Sequence, residues 1–391
     1  MGRITVKKQE LKQNIILIYI HTFLSTFILY YICDTLFYIE RGLTSSQYIS
    51  FVGIAFGIRL LLEIPFGIIA DKYNKKMLLL ISNILFITST IVFINSYSYY
   101  SFLIAIVINA MNNSLNSGIV NSILYESLSD KHKFKKLLFY NSFFYNVSYM
   151  IAMIIGGYIG QKFGLVYTYY ITIIPFVIDF LILLMIKTNE TIKNINIENN
   201  VSILKNGIKE VVNNKYLLKL MLINAVLFSG IKLMEESHPE YSANIGISVF
   251  IIGIYTSLIL LFCIIGSYIG SKVNKEKYQF VLNINPIISG ICILLVGLLN
   301  NYIGIVFILL IYIFSESFEN IMMSELHNNI SSKSRVTVES INQFVLNLFG
   351  VIFSFLMTIL LRFISISFMY IIIGVMIILF GILNLIARRK I

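Results

Sequence analysis

The sequence predicts an all-α polytopic membrane protein, with twelve transmembrane helices in two six-helix halves. Three observations carry that expectation. Of the 391 residues, 58% are hydrophobic and 13% are charged, whereas a soluble domain is about 25% charged. Twelve stretches reach the ~20 apolar residues that a bilayer-crossing helix needs. Lys and Arg are concentrated in alternate connections between those stretches, as the positive-inside rule requires.

The elements follow in order. The opening MGRITVKKQELKQN is basic and leads into an apolar run with no small-residue cleavage site. That run is longer than a signal-peptide core, so it reads as a retained first helix. The spans are predicted at 14–37, 47–70, 76–95, 100–125, 137–160 and 165–187, then at 217–237, 248–271, 279–299, 302–325, 338–361 and 366–387. Most connections are only a few residues long. The exception, 188–216, is polar and divides the chain into an N-terminal half, 1–187, and a C-terminal half, 217–391. Within this central loop Val201, Leu204, Ile208, Val211 and Val212 recur at helical spacing. They describe either an amphipathic helix on the membrane surface or a partly helical linker.

With the N-terminus inside, 25 of the 30 Lys and Arg fall in cytoplasmic segments, three (Arg41, Lys162, Arg362) fall outside, and Arg59 and Lys232 lie within spans. Both termini are therefore expected in the cytoplasm, and the protein in the cell membrane as a multi-pass chain. The net charge of +11 is topological and gives no reason to expect nucleic acid as a partner. Cys33, Cys263 and Cys292 lie far apart in apolar runs, without metal or disulfide spacing. No P-loop motif is present, and no His or Cys constellation gathers in the loops. No enzyme, cofactor or metal is expected.

One polar interruption is informative. Between the second and third spans the chain reads EIPFGIIADKYNKKMLLL, Glu63 to Leu80. Gly67 and Ala70 allow a helix end to pack closely on a neighbour. Asp71 suits a helix N-terminus, where the macrodipole favours an anion. Asn74 tolerates the left-handed conformation of a tight turn, and Lys72, Lys75 and Lys76 sit at the inner headgroup level. A second copy, SKVNKEK from Ser271 to Lys277, follows 200 residues later between spans 8 and 9, with Ser271 in place of the acid. Duplicated six-span halves are a transporter architecture.

Gly67-Ile-Ile-Ala70-Asp71-Lys72-Tyr-Asn74-Lys75-Lys76 resembles the hairpin signature of the major facilitator superfamily, Gly-x-Leu-Ala-Asp-Arg-x-Gly-Arg-Lys, with Lys for two Arg and Asn for the second Gly. The likeness extends to the drug-efflux members of Gram-positive type. It is carried by Glu63-Ile64-Pro65-Phe66-Gly67, by Ser117-Gly118 with Leu124-Tyr125-Glu126-Ser127, and by Arg335-Val336-Thr337 with Ser340. Span 5 departs from those members, with Ile155-Gly156-Gly157-Tyr158-Ile159-Gly160 and no Pro. The resemblance implies the twelve-helix major facilitator fold, with spans 1, 4, 7 and 10 around a central cavity. It also implies a cytoplasmic latch formed by Gly67, Asp71, Lys72, Lys75, Lys76 and Arg335.

Polar residues inside the spans are the site candidates, because a charge in hydrocarbon costs ~2.5–3.5 kcal/mol on insertion scales. Asn109, Asn112, Asn113 and Asn116 follow i, i+3, i+4, i+7 spacing on span 4. They either line the cavity or hydrogen-bond between helices. Glu316 and Glu319 lie three apart on span 10, with Asn320 and Met323 alongside. They form a proton or cationic-substrate site, or they pair with Lys232 or another span. Lys232 and Glu236 are spaced for an internal pair, with Glu235 and His238 near the outer mouth. On span 1, His21 is a packing residue, a cavity residue or a proton carrier, and Asp34 is a second proton candidate. Arg59 and Glu63, four apart on span 2, form an ion pair or relay protonation to the latch. Asp179 has no assigned role.

These readings point to a secondary transporter of a small molecule, expected as a monomer, that uses protons as coupling ion and exports an amphipathic or cationic compound. An uptake symporter of the same fold and a non-transporting membrane sensor are the rivals.

Overall fold

The computed structural model describes residues 8–116, 119–127, 134–187, 211, 213–329 and 335–388. Among these no strand occurs, and twelve helical stretches are long and apolar enough to cross a membrane. The first half contains α1 (Lys8–Ser25), a 3-10 turn (Leu29–Ile32), α2 (Asp34–Glu40), α3 (Ser45–Lys72), α4 (Lys75–Ile94), α5 (Tyr99–Asn116), α6 (Ile119–Glu126), α7 (Phe134–Phe163) and α8 (Leu165–Met185). The second half contains α9 (Lys215–Asn244), α10 (Val249–Lys272), α11 (Tyr278–Leu299), α12 (Ile303–Asn328), α13 (Arg335–Leu360) and α14 (Ile366–Arg388). The central-loop helix expected around Val201–Val212 falls mainly on 188–210 and 212, outside the described residues.

The chain forms two compact units. One comprises Met1–Leu43, Ile58–Ile195 and Val249–Ser257; the other comprises Thr44–Gly57, Asn196–Ser248 and Leu258–Ile391. Two helices, α3 and α10, are thus shared between the units.

In the first unit the expected single helix over 14–37 is broken. The side chains explain the break. Thr26 Oγ1 donates back to the Thr22 carbonyl at 2.7 Å, and Ile28 N bonds Thr26 O instead of a carbonyl four residues earlier. The Leu29 amide, freed from the helical ladder, finds its partner on a neighbouring helix, the condition for irregular backbone at membrane depth. Leu29 N donates to Thr172 Oγ1 of α8 at 3.0 Å. A Cβ on Gly156 of α7 would run into the Leu29 carbonyl. The glycines of span 5 are therefore docking points. Gly156 receives the turn, and a Cβ on Gly157 would lie 2.9 Å from Val249 O and 3.2 Å from Gly253 Cα of α10. An aromatic core fills the space beyond, with Tyr30 stacked on Tyr169 at 4.2 Å and Phe86 on Phe176 at 3.6 Å.

In the second unit α11 and α14 meet glycine to glycine, with a Cβ on Gly290 3.0 Å from Gly374 O. The first part of α3 packs on α13 in the same way. A Cβ on Gly53 would stand 2.9 Å from Ser354 Cβ, and one on Gly350 would stand 2.7 Å from the Phe56 ring. Small residues let helix backbones approach and gain packing contacts that lipid cannot supply.

The hairpin between α3 and α4 corrects one expectation. Asn74 is not left-handed; its φ of −63° and ψ of 118° are extended. Its side chain caps α4, Oδ1 accepting from Lys76 N at 2.9 Å and Met77 N at 3.4 Å. An amide oxygen there satisfies donors that the first helical turn leaves open.

Candidate functional site

The second unit gathers ionisable side chains inside its spans. On α10, Gly266 and Gly270 stand four apart against α12. A Cβ on Gly266 would lie 2.8 Å from Ile313 Cα and 3.0 Å from Glu316 Cβ, and one on Gly270 would lie 3.1 Å from Asn320 Cβ. That approach is pinned by Asn320 Nδ2 donating to Ser267 Oγ at 3.3 Å. It places Cys263, one turn before Gly266, beside α12 and within electrostatic reach of Glu316. Glu235 of α9 and Glu319 lie within electrostatic reach of the same thiol. Glu316 and Glu319 are half-buried.

Lys232 pairs on its own helix. Its Nζ bonds Glu236 Oε1 at 3.0 Å, the pair the spacing predicted, and also Glu235 Oε2 at 3.1 Å. Lys232, Glu235, Glu236, Glu316 and Glu319 thus bring four carboxyls and one ammonium into the α9 and α12 spans. Excess carboxyls in a membrane interior invite protons or an organic cation, because charges there are stable only when paired or neutralised.

Further along α9, Glu240 Oε1 accepts from Ser45 Oγ and Oε2 from Tyr48 OH, each at 2.7 Å. Ser46 Oγ adds a bond to Thr358 O of α13 at 2.6 Å. Sequence reasoning missed this clamp. Glu240 sits one position past Pro239 near a span end, and nothing local distinguishes it from a solvated acid.

In the first unit, His21 and Asp179 prove to be partners. His21 Nδ1 lies 2.8 Å from Asp179 Oδ1 and 3.0 Å from Oδ2. Asn83 Nδ2 donates to Asp179 Oδ2 at 2.8 Å and to Phe176 O at 3.1 Å. The role that Asp179 lacked in the sequence is this contact between α1, α4 and α8.

The asparagine stripe on α5 divides. Asn112 is buried and accepts from Ser82 Oγ of α4 at 2.5 Å. Asn113 is exposed, while Asn109 and Asn116 are half-buried. The Asn116 Oδ1 is buried without a hydrogen-bond partner among the described residues. Asp34 opens α2 and is half-buried.

At the hairpin, Lys75 Nζ bonds Glu126 Oε1 of α6 at 2.5 Å and also reaches Ser122 Oγ. Lys76 Nζ donates to Leu184 O of α8 at 2.5 Å. These contacts lie within the first unit. The side chains of Gly67, Asp71, Lys72 and Arg335 lie outside the described residues, as does Glu63, so the expected latch and the Arg59–Glu63 pair are described only at Lys75, Lys76 and Arg59. Among the described residues, no group of three or more His, Cys, Asp or Glu could hold a metal ion.

Twelve spans, a duplicated hairpin and carboxyls buried within the helices define a multi-pass membrane protein of transporter architecture. The sequence model of the Major Facilitator Superfamily matches residues 15–352, and the chain belongs to that family. Its fold is similar to solved transporters at low identity. A POT family peptide transporter in an auto-inhibited state matches with a TM-score of 0.77 at 11% identity, over 97% of each chain. A bacterial homologue of the human lysosomal transporter Spinster matches at 0.74 and 14%, over 96% of this chain and 95% of the other. The nucleoside transporter NupG matches at 0.72 and 14%, over 96% and 98%. No curated protein sequence matches the chain.

Proposed function

We propose that the protein is a secondary active transporter of the cytoplasmic membrane, of the drug-efflux type, which couples proton entry to export of an amphipathic or cationic compound. Its two halves, 1–187 and 217–391, would alternate access to a site near the midplane, with both termini in the cytoplasm and the chain acting as a monomer. The observation that carries this reading is the carboxyl cluster of α9 and α12. Glu316 sits beside Cys263, with Glu319 and Glu235 in electrostatic reach of the same thiol. A carboxyl that gains and loses a proton between the two access states is the minimal coupling device. An excess of carboxyls also suits a cationic cargo. The peptide and nucleoside transporters of similar fold lend support to small-molecule transport and leave the cargo of this chain open.

The test uses everted vesicles under an imposed pH gradient, with a panel of lipophilic cations as cargo. The parent protein is expected to accumulate one of them. Glu316→Gln and Glu319→Gln are expected to abolish gradient-driven accumulation while leaving counterflow exchange measurable. Accumulation equal to the parent in both variants would make these carboxyls structural. Proton flux in the same direction as the substrate would replace the antiporter with an uptake symporter. Absence of any substrate-driven flux would favour a sensor.

A further inference from the structure

The two halves of the chain meet one packing requirement in different ways. In the first unit Asn83 ties α4 to α8 by donating to Asp179 Oδ2 at 2.8 Å. In the second unit the tie runs between α11, which like α4 follows the hairpin, and α14, the last helix of its half as α8 is of the first. There Asn384 Nδ2 donates to Asn283 Oδ1 at 2.9 Å. Asn283 stands 200 residues after Asn83. Two neutral amides therefore suffice for this bridge.

The first unit uses a carboxylate in place of one amide and adds a histidine. Asp179 is 0% exposed and His21 3%. Burying a carboxylate costs several kcal/mol unless its charge is compensated, so the bridge alone gives no reason for the acid. On α9, the first helix of the second half, the amide of Asn224 reaches Asn342 of α13 at 3.4 Å. The α4–α8 bridge therefore differs from the α11–α14 bridge in carrying a carboxyl with a histidine on it.

Among the described residues the surroundings leave the pair to itself. On its own helix the nearest titratable side chain is Tyr19, whose hydroxyl donates to Leu137 O. The α8 helix brings Asp179 as its one charged residue. On α4 the bridge residue is the neutral Asn83, and Lys75 and Lys76 are held at the helix start by Glu126 and Leu184 O. The α7 helix offers Tyr140, in ring contact with Tyr19, and Asn141, bonded to Thr22 at 2.7 Å. Its described Lys136 is exposed, and its Nζ lies 5.9 Å from the Tyr140 ring centre. The α6 helix brings Tyr125, in ring contact with Phe134, and Glu126, already paired with Lys75. The second ring nitrogen, His21 Nε2, is buried with no hydrogen-bond partner among the described residues.

We propose that the His21–Asp179 pair is a proton-binding site of the first unit, separate from the carboxyls of α12, with His21 Nε2 as the atom that takes the proton. In the unloaded form Nδ1–H donates to the Asp179 carboxylate, and the pair carries one negative charge supported by the Asn83 amide. A proton arriving on the Nε2 lone pair makes the imidazolium and brings the pair to zero net charge. No other bond is made or broken. The site stands whether or not Glu316 and Glu319 carry protons, because its binding is read directly.

The experiment is nitrogen NMR of the full-length protein in nanodiscs, labelled with 15N-histidine. The chain has four histidines, which keeps the spectrum simple. One imidazole is expected to titrate reversibly across the pH range over which the protein stays folded, to vanish in His21→Asn, and to move its midpoint in Asp179→Asn. The double variant His21→Asn/Asp179→Asn rebuilds the amide bridge of the second unit. It is expected to melt near the parent temperature while lacking that titration. A His21 signal that stays flat across the range while other histidines titrate would overturn the proposal. So would a His21→Asn spectrum that loses none of the titrating signals of the parent.

Discussion

Tyr48 and Glu240, 192 residues apart, are joined by a 2.7 Å hydrogen bond from the buried tyrosine hydroxyl to the carboxylate. Ser45 donates to the second oxygen of the same group. Hydrogen bonds to a charged group contribute about 1.5–3 kcal/mol. Tyr48→Phe is expected to lower the melting temperature in detergent, and Tyr48→Phe with Ser45→Ala to lower it further. Unchanged melting in the double variant would show that the clamp contributes nothing to stability.

The α10–α12 approach makes its own prediction. A Cβ on Gly266 would meet the Ile313 carbonyl oxygen at 2.5 Å, and backbone cannot move aside as a side chain can. Gly266→Val is expected to exceed the ~1–3 kcal/mol of ordinary overpacking and to eliminate monodisperse protein on gel filtration. Gly270→Ala meets Ser317 O at 2.9 Å and is expected to fold with a lowered melting temperature. Normal behaviour of Gly266→Val would refute the tight seam.

Lys232 holds two carboxylates at 3.0 and 3.1 Å. Removing one partner from such a cluster leaves charge uncompensated. Lys232→Gln is expected to destabilise the protein, and Lys232→Gln combined with Glu235→Gln and Glu236→Gln to recover part of the loss. Additive destabilisation in the triple variant would mean that the three side chains are energetically independent.

Within the α5 stripe, two neighbours are expected to behave differently. Asn112→Leu leaves Ser82 Oγ without its acceptor in a buried place, at about 1–3 kcal/mol. Asn113→Leu touches an exposed position and is expected to leave the melting temperature unchanged. Calorimetry on the two purified variants checks the contrast, which fails if both melt alike.

Orientation is tested by a reporter after Ile391. A fluorescent protein that folds only in the cytoplasm is expected to light up there, and an exported phosphatase is expected to stay silent. Phosphatase activity would invert the topology.

Features within a few residues of one another were legible in the sequence. Span length, the clustering of Lys and Arg in alternate connections and the Lys232–Glu236 spacing each need only local reading. The break after Thr26 was not legible, because Leu24, Phe27 and Ile28 keep the run apolar while the partners that permit the break, Thr172 and Gly156, lie far along the chain. Asp179 stayed unexplained for the same reason, its partner being 158 residues away. Helical periodicity grouped the four asparagines of α5, but a stripe of that width has two edges. Packing against α4 took Asn112 and left Asn113 outside.

The broken first span has a mechanical consequence. A continuous helix behaves as a stiff rod, because each hydrogen bond along its ladder resists twisting and bending. Between Thr26 and Leu29 that ladder is interrupted, and the turn is anchored sideways to α7 and α8 instead. Asp34 and His21 therefore stand on opposite sides of an interrupted ladder, with the turn between them held by Thr172 of α8 and by the close approach of Gly156 of α7.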